Sequence, residues 1–322
     1  MVTLDDIQLA KERIKGVAVR TPLLPCPQQE TAQKLYFKPE NFQPIGAFKL
    51  RGAYNKIASL SAAEKERGVI TYSSGNHAQG VAYAARALGV RALIVMPGNA
   101  PKIKLENTRA LGAQIVLVGN GGEERRIKAE ELAAEHGYVI VPPYNDETLI
   151  AGQGTVGLEI LEDLPEVETV LVPIGGGGLI SGTAAALKLA KRGVRVIGVE
   201  PELAADAQAS LRSGHMVEFP PEKTVLTIAD GLRAQHLGDI TFAHIQAFVD
   251  DIVTVSEEEI REAVRRLAMK AKLVVEPSGA VTFAAYLFHR NEFPQTDNTV
   301  AIISGGNIEP AMLAEILTEK SA

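Results

Sequence analysis

The chain has 322 residues but only one cysteine, so no disulfide bond can form within it. Cys26 lies between two prolines, and we expect a structural thiol there rather than a nucleophile. The chain also lacks any apolar stretch close to the roughly 20 residues that cross a bilayer. Its first six residues carry acids where a signal peptide has bases and an apolar run. These absences favour a cytoplasmic protein that does not contact membranes.

Clustered positive charge is missing as well. Asp and Glu (39) outnumber Lys and Arg (33), which gives a formal net charge of -6 at pH 7. Nucleic acid is therefore excluded as an expected partner, because phosphate contacts need clustered positive charge. The metalloprotease motif H-E-x-x-H, paired C-x-x-C motifs, the hydrolase elbow G-x-S-x-G and the P-loop are all absent. What remains is a chain long enough for two domains, with 46% hydrophobic residues.

Apolar strand-like segments alternate with helix-like segments along the chain. Residues 69–72, 92–96, 114–118, 169–174, 195–199 and 299–303 are almost continuously apolar instead of alternating with polar residues. Such segments are typical of parallel strands that are covered on both faces. The pattern predicts two open α/β units, in which the turns after the strands lie along one edge of each sheet.

A lysine occupies a sequence phrase of unusual character, Gln-Pro-Ile-Gly-Ala-Phe-Lys-Leu-Arg-Gly-Ala at residues 43–53. Taken alone, a lysine in a helix is more often a solvated charge. Phe48 and Leu50 flank Lys49, however, and no hydrophilic face develops after it. A buried lysine loses its proton readily, so its amine can act as nucleophile and base. Lys49 is therefore a candidate to hold an aldehyde as a Schiff base.

Four consecutive glycines, residues 175–178, follow an apolar strand and precede a helix. Their N–H groups can converge on a phosphate at the positive end of the helix dipole. A tight turn is the alternative, but four glycines exceed what a turn needs. Glu200 ends the following strand, where a ribose-binding acid of a dinucleotide site would lie. The tetraglycine nevertheless lacks the spacing G-x-G-x-x-G, because Ile180 and Ser181 stand where its third glycine would be, and this disfavours a dinucleotide there.

Three further segments carry polar groups at strand ends. Residues 73–77 read Ser-Ser-Gly-Asn-His and could cap a helix or bind a carboxylate and a ring oxygen. Ser304, in Ser-Gly-Gly-Asn, could likewise cap a helix or contact a ligand. Glu200 and Asp206 offer oxygen ligands for a hard cation, although a solvated loop is the default interpretation of two acids six residues apart.

The lysine phrase, Ser-Ser-Gly-Asn-His, the tetraglycine and Ser-Gly-Gly-Asn occur in the order found in a known family. The chain resembles the serine/threonine dehydratases and serine racemases, which are fold type II pyridoxal-phosphate enzymes, over nearly its whole length. The resemblance implies a tryptophan synthase β-like fold with two open parallel-sheet α/β domains. It places the large cofactor domain at residues 1–67 and 144–322 and a small mobile domain at 68–143, and it implies a homodimer.

The resemblance also implies a role for each motif, with pyridoxal 5'-phosphate as cofactor. Lys49 is expected to hold the cofactor aldehyde and to act as the catalytic base, with Ser74 as the second catalytic group. The expected cofactor-binding residues are Phe48, Lys49, Asn76, Gly175, Gly176, Gly177, Gly178, Leu179 and Ser304. The expected substrate-binding residues are Ser73, Ser74, Asn76 and His77. Family members that bind a divalent cation have ligands spaced like Glu200, Ala204 and Asp206, so Mg, Ca or Mn is expected there.

The implied reaction is dehydration of L-threonine or L-serine to 2-oxobutanoate or pyruvate with release of ammonia. Threonine dehydratases have alanine where this chain has Ser74, and serine racemases have serine. Racemisation of L-serine is therefore the alternative, and another β-hydroxy amino acid such as threo-3-hydroxyaspartate is a further possible substrate. Eukaryotic racemases carry a substrate-facing arginine in the small domain, where alignment by eye places Glu130, with Lys128 and Arg126 adjacent. A non-catalytic phosphate-ligand module is the remaining alternative, and the presence of Lys49 argues against it.

Overall fold

The fold is that of a computed structural model, which describes residues 1–27, 33–73, 75–100, 102–119, 121–294 and 296–319. Its strands form two separate sheets. The strands of the first sheet are β1 (Leu24–Pro25), β2 (Lys34–Pro39), β7 (Thr169–Pro173), β8 (Arg195–Pro201), β9 (Asp251–Val255) and β10 (Asn298–Ile303). The strands of the second sheet are β3 (Val69–Tyr72), β4 (Ala92–Pro97), β5 (Gln114–Val118) and β6 (Val139–Ile140).

Helices surround both sheets within the described part of the chain. They are α1 (Leu4–Ile14), α2 (Lys49–Ala58), α3 (Ala62–Arg67), α4 (Asn76–Ala87), α5 (Lys102–Ala110), α6 (Gly122–His136), α7 (Glu147–Asp163), α8 (Gly178–Ala190), α9 (Asp206–Ser213), α10 (Pro221–Thr224), α11 (Asp239–Phe248), α12 (Glu257–Arg266), α13 (Pro277–Phe288) and α14 (Pro310–Thr318). None of the helices formed by described residues is both long and apolar enough to span a bilayer.

The strand order is β1-β2-β10-β7-β8-β9 in the first sheet and β5-β4-β3-β6 in the second. Every neighbouring pair is parallel except β1 and β2, which run antiparallel. All five residues of β7 are buried, as expected for a strand covered on both faces. The predicted α/β fold with two parallel sheets is therefore confirmed.

Helix α2 lies where the two sheets approach each other. Its apolar residues Leu50, Ala53 and Ile57 share a buried cluster with residues of β3 and α4. On its other side, α2 crosses α7 closely, since a methyl group built on Gly152 would lie 2.7 Å from the Arg51 carbonyl oxygen. Because packing on two sides fixes α2, its first residue, Lys49, has a defined position between the sheets.

Candidate active site

Two motifs that are about 250 residues apart in sequence are joined by backbone hydrogen bonds. The N–H of Phe48 donates to the Ser304 carbonyl at 3.0 Å, and the N–H of Gly306 donates to the Gly46 carbonyl at 2.9 Å. These bonds hold the loop before α2 against the carboxyl end of β10. Lys49 therefore begins its helix directly beside Ser304, at the edge of the sheet where ligands collect in α/β proteins.

The amine of Lys49 has no carboxylate among the partners that the structure gives it. Its Nζ donates to the Pro143 carbonyl at 2.6 Å and lies 5.2 Å from the centre of the Phe48 ring. Burial lowers the pKa of Lys49 from 10.5 to about 8, because desolvation disfavours the charged form. With this pKa, about a tenth of the amine is neutral at pH 7 and about half at pH 8, and the neutral form can attack a carbonyl.

The side-chain amide of Asn76, the first residue of α4, is held from both ends. Asn307 Nδ2 donates to Asn76 Oδ1 at 2.8 Å and also to the Ile45 carbonyl at 2.8 Å. Asn76 Nδ2 donates to Glu276 Oε1 at 2.7 Å. Both hydrogens of the Asn307 amide are used by acceptors, so the Asn76 oxygen must face Asn307 and its nitrogen must face Glu276. The second N–H of Asn76 then remains to donate to a ligand.

His77 follows in the same helix and is buried. Its Nε2 lies 3.0 Å from the Val141 carbonyl, so this nitrogen carries the hydrogen and donates. Its Nδ1 is a buried acceptor without a hydrogen-bond partner among the described residues. Burial, followed by the charge of Lys49, lowers the pKa of His77 to about 3. His77 therefore stays neutral throughout the physiological range and cannot serve there as a general acid.

The tetraglycine forms the loop between β7 and α8. Gly177 has a φ of +88°, a conformation that favours glycine, and precedes the first residue of α8. A methyl group on Gly176 would overlap the ring of Tyr144, and one on Gly177 would lie 2.9 Å from Thr241 Cβ. The loop therefore accepts only glycine at these positions, and the helix end that follows has free N–H groups. This arrangement is a cradle for an anion.

The remaining predicted ligand contacts come from two serine loops. Ser304 is buried, and its hydroxyl donates to the Ser278 carbonyl at a long distance of 3.4 Å. Ser73 Oγ accepts from the N–H of Gly75 at 3.3 Å. Ser74 lies outside the described residues, so its predicted catalytic role has no structural account.

Two buried carboxylates, those of Glu200 and Asp206, lie near the start of α9. Glu200 accepts from the N–H groups of Ala207 at 3.0 Å and Gln208 at 2.8 Å. Both carboxylate oxygens of Asp206 are buried without a hydrogen-bond partner among the described residues. Burial raises the pKa of both acids, and for Glu200 the charge of Asp206 adds to this effect. The described residues include no group of three or more His, Cys, Asp or Glu side chains suited to a metal.

The basic residues of α6 differ in their partners. Arg125, Arg126 and Lys128 are all half-buried. Arg126 pairs with Glu123 and Glu130, and Lys128 pairs with Glu131. Burial lowers the pKa of Arg125. The helix begins at Gly122, and Arg125 lies near this N-terminal end.

A comparison with known families gives this geometry its context. The family model described as pyridoxal-phosphate dependent enzyme matches residues 14–305. The chain belongs to this family. The predicted resemblance is thereby confirmed, and the fold is that of a fold type II pyridoxal-phosphate enzyme.

Three similar proteins within the pyridoxal-phosphate family differ from one another in their named activity. An L-threonine ammonia-lyase of Thermotoga maritima is 48% identical, over 99% of this chain and 79% of that protein. An L-threo-3-hydroxyaspartate ammonia-lyase of Saccharomyces cerevisiae is 42% identical, over 99% of this chain and 97% of that protein. The solved structure of maize serine racemase is 39% identical with a TM-score of 0.92, covering 98% of this chain and 96% of that one.

The residues present fit pyridoxal phosphate at three points. The glycine loop offers N–H groups to the phosphate, and Lys49 offers a partly neutral amine to the aldehyde. Asn76 offers one unused N–H to a ring oxygen, because its other polar groups are taken by Asn307 and Glu276. Glu276 was not anticipated from the sequence, and Asn307 was noted only as part of its motif.

Proposed function

We propose that this pyridoxal-phosphate enzyme is an ammonia-lyase, which converts L-threonine to 2-oxobutanoate and L-serine to pyruvate with release of ammonia. The observation that carries the proposal is the half-buried amine of Lys49, with its pKa lowered to about 8. The named activities of the Thermotoga and yeast relatives support an amino acid substrate and elimination of ammonia. A phosphate-binding module without catalysis would have no use for such an amine.

Bound pyridoxal phosphate supplies an aldehyde that joins amines covalently and a conjugated ring that takes up negative charge from the substrate Cα. The chain supplies binding and proton transfer. The N–H groups of residues 175–179 hold the phosphate, and the unused N–H of Asn76 orients the ring. Ser304 offers a neutral hydroxyl to the ring nitrogen. A hydroxyl cannot keep that nitrogen protonated as a carboxylate would, so the residues favour elimination over transamination.

Lys49 moves the proton in the central step. Its free amine takes the proton from the substrate Cα, and the β-hydroxyl then leaves with that proton as water. A second water hydrolyses the remaining enamine to the 2-oxo acid and ammonia. The Pro143 carbonyl, which accepts from Nζ at 2.6 Å, holds the amine in place between these events. Ser73 and His77 border the substrate site, and we propose that they bind its carboxylate. His77 makes this contact through its backbone N–H in the first turn of α4, because its neutral ring carries its one hydrogen on Nε2, which donates to Val141.

The function is tested by supplying the holoenzyme with L-threonine, L-serine, D-serine and threo-3-hydroxyaspartate. We expect each of L-threonine and L-serine to give one mole of ammonia for every mole of 2-oxo acid formed. Turnover of threo-3-hydroxyaspartate alone would replace the proposed substrate by that of the yeast relative. Absence of 2-oxo acid from every member of the panel would refute the proposed lyase activity.

Racemisation of serine is the second candidate function, favoured by Ser74 in the sequence and by similarity to maize serine racemase. In this proposal the Ser74 hydroxyl returns a proton to Cα on the face opposite Lys49. The Ser74→Ala variant should then retain pyruvate formation from L-serine but form at least about tenfold less D-serine, since a positioned proton donor contributes 10²–10⁴-fold. Chiral analysis of the products checks this. Equal loss of both products would argue against Ser74 as the proton donor.

The pKa of Lys49 predicts how cofactor binding depends on pH. Only the neutral amine condenses with the aldehyde, so the association rate should rise with pH and level off above about pH 9, since the pKa of Lys49 is about 8. For an unperturbed lysine, with a pKa near 10.4, the association rate would still increase above pH 9. Stopped-flow mixing of apoprotein with pyridoxal phosphate at constant phosphate ionisation measures this rate. A midpoint above pH 10 would contradict burial of the amine.

We further propose a divalent cation (Mg, Ca or Mn) bound by the carboxylates of Glu200 and Asp206 and the carbonyl of Ala204. The support is the pair of Asp206 oxygens that are buried without partners, since a buried charge needs a counter-charge. The positive charge of such a cation allows both acids to ionise. Because Asp206 is the first residue of α9, the cation also fixes the start of this helix.

Cation removal should therefore lower the melting temperature of the wild-type protein. At a concentration 100 times its dissociation constant, a bound cation stabilises by about 2.7 kcal/mol. The Asp206→Asn variant lacks one of the two carboxylates that bind the cation. Its melting temperature should therefore not respond to a chelator or to added Mg²⁺, Ca²⁺ or Mn²⁺. Calorimetry with each cation checks this. The same cation response in variant and wild type would place the cation elsewhere.

Four further assignments complete the proposal. We propose that residues 68–143, which contain the whole second sheet, act as the smaller domain and that 1–67 and 144–322 form the larger one. We propose a homodimer, as the resemblance implies, and a cytoplasmic location. We also propose that the residue of α6 that faces the substrate is Arg125, whose pKa burial lowers, rather than Glu130, Lys128 or Arg126.

A further inference from the structure

A cluster of four charged side chains lies buried outside the cofactor site. Lys38 of β2, Glu40 in the turn after it, Arg51 of α2 and Glu159 of α7 make up this set, which we call the Arg51 cluster. Lys38, Glu40 and Arg51 are 0% exposed and Glu159 is 4% exposed. The two acids and two bases balance each other in charge. No step of the proposed reaction uses any of them.

Arg51 is the centre of the cluster and binds two carboxylates at once. Its Nε and Nη2 donate to the two oxygens of Glu40 at 2.7 and 2.8 Å. Its Nη1 and Nη2 donate to the two oxygens of Glu159 at 2.7 and 2.9 Å. The Nη1 group also donates to Thr155 Oγ1 at 3.1 Å. Planar, two-point contacts of this kind fix the orientation of a guanidinium, which a lysine cannot reproduce.

Lys38 and Thr21 close the cluster on the other side. Lys38 Nζ donates to Glu159 Oε2 at 2.6 Å and to the Thr21 carbonyl at 2.6 Å. The Thr21 hydroxyl donates to Glu40 Oε1 at 2.7 Å. The cluster therefore ties α2 to β2, to α7 and to the segment before β1. All its carboxylate oxygens are satisfied within this set.

Stability alone is a weak reason for such a cluster. Replacing buried ion pairs by apolar side chains of similar volume is often neutral or stabilising, because taking charges out of water is costly. What the cluster supplies is a unique geometry. That geometry is applied to the first turn of α2, which begins at Lys49 and has no side-chain cap on its free N–H groups.

Arg51 and Lys49 face opposite ways on this turn. Residues two apart in a helix of 3.6 residues per turn are separated by about 200°. Arg51 thus anchors the back of the turn while Lys49 projects toward the cofactor site. Because the anchor reaches three other elements, it determines both the rotation of α2 about its axis and its position along α7.

We propose that the Arg51 cluster is a positioning device for Lys49, and that it sets where the reactive amine lies relative to the Asn76 amide and the glycine loop. The proposal rests on the proposed function of Lys49. Displacement of a reacting group by about 1 Å can cost 10²-fold in rate. Loosening the anchor should therefore reduce the rate of chemistry far more than it weakens substrate binding.

The test compares Arg51→Lys and Glu159→Gln with Lys56→Met as a matched control. Lys56 also joins α2 to α7, through an ion pair with Asp146 at 2.6 Å in which each side chain is 18% exposed, but at the far end of α2. For each holoenzyme kcat and KM for L-threonine and the melting temperature are measured. For each apoprotein the rate of pyridoxal phosphate association is measured against pH.

Both cluster variants are expected to lose about 10–100-fold in kcat with KM changed less than about threefold, and to associate with the cofactor at least about fivefold more slowly. Lys56→Met should lower the melting temperature while leaving kcat and the association rate unchanged. If the cluster variants lower only the melting temperature, as the control does, the cluster is structural and the proposal fails. Should Arg51→Lys not fold, the nearly isosteric Glu159→Gln decides by the same criteria.

Failure of the proposed function is distinguishable from failure of this proposal. A wild-type holoenzyme without turnover of L-threonine refutes the lyase assignment. The association rate of the cofactor with the Lys49 amine then still reports on the cluster, because it needs no substrate. Equal association rates in wild type and both cluster variants overturn the positioning role under any assignment of substrate.

Discussion

The Lys49→Ala variant is expected to lose turnover of L-threonine by at least about 10³-fold, because it lacks both the covalent attachment point and the base. It should also lose the visible absorbance of the bound cofactor. The reason lies in the site itself, since Nζ of Lys49 is a half-buried amine next to the Pro143 carbonyl, at the helix start that is bonded to the end of β10. Steady-state assays and absorbance spectra of the purified variant measure the two effects.

Lys56→Ala is the control for this substitution, since it removes an amine from the same helix but outside the cofactor site. It should retain the absorbance and turnover of the wild type. Retention of both properties by Lys49→Ala would show that another group holds the cofactor. Loss of absorbance in the Lys56→Ala variant would show that the effect is a general disturbance of α2.

The second large effect is expected from Gly176→Ala. The added methyl group would overlap the ring of Tyr144, so the loop must move and its N–H groups lose their common direction. Hydrogen bonds to charged groups contribute about 1.5–3 kcal/mol each. Loss of one or two corresponds to a dissociation constant for pyridoxal phosphate that is about 10²-fold higher. Titration of the apoprotein with cofactor measures this constant.

Gly193→Ala is the matched control for the loop substitution. Gly193 lies beyond α8, and a methyl group built there meets no atom within 4 Å. Its cofactor affinity should equal that of the wild type. An unchanged affinity in Gly176→Ala would mean that the phosphate does not lie in the tetraglycine loop. The fold would then stand, but the assignment of residues 175–179 would not.

The sheet structure was predictable because burial on both faces leaves a direct trace in sequence. The run Thr-Val-Leu-Val-Pro at β7 carries no charge and only one polar residue, and all five residues are buried. The glycine loop was predictable for a similar local reason. Gly177 adopts a positive φ and Gly176 has no room for a side chain, so both constraints act on the residue type itself.

Helix ends were harder to predict where the signals compete. Helix α6 begins at Gly122 because Glu124 bonds back to the N–H of Gly121, a cap without the usual serine or threonine. Helix α12 ends at Arg266, and the chain continues directly into a π-helical turn, Leu267–Ala271. Lys272 then takes a φ of +61°, and the residues around it carry no pattern that predicts this conformation.

Contacts between distant segments were beyond reach of the sequence. Glu276 looks like a surface acid before Pro277, yet it is 5% exposed and holds Asn76 from 200 residues away. Arg51 looks like a solvated helix charge, yet it is fully buried between two carboxylates. For both residues, burial and pairing of the charge depend on side chains that are distant in sequence, not on the neighbouring residues. Such partners appear only once the chain has folded.

The most direct test of the account is chemical reduction of the holoenzyme with borohydride, followed by peptide mass mapping. Reduction makes the bond between cofactor and amine permanent, so the modified peptide identifies the residue. The account predicts a single pyridoxyl-phosphate label on Lys49 at close to one per chain. A label on a different lysine, or no label in a protein fully loaded with cofactor, would contradict it.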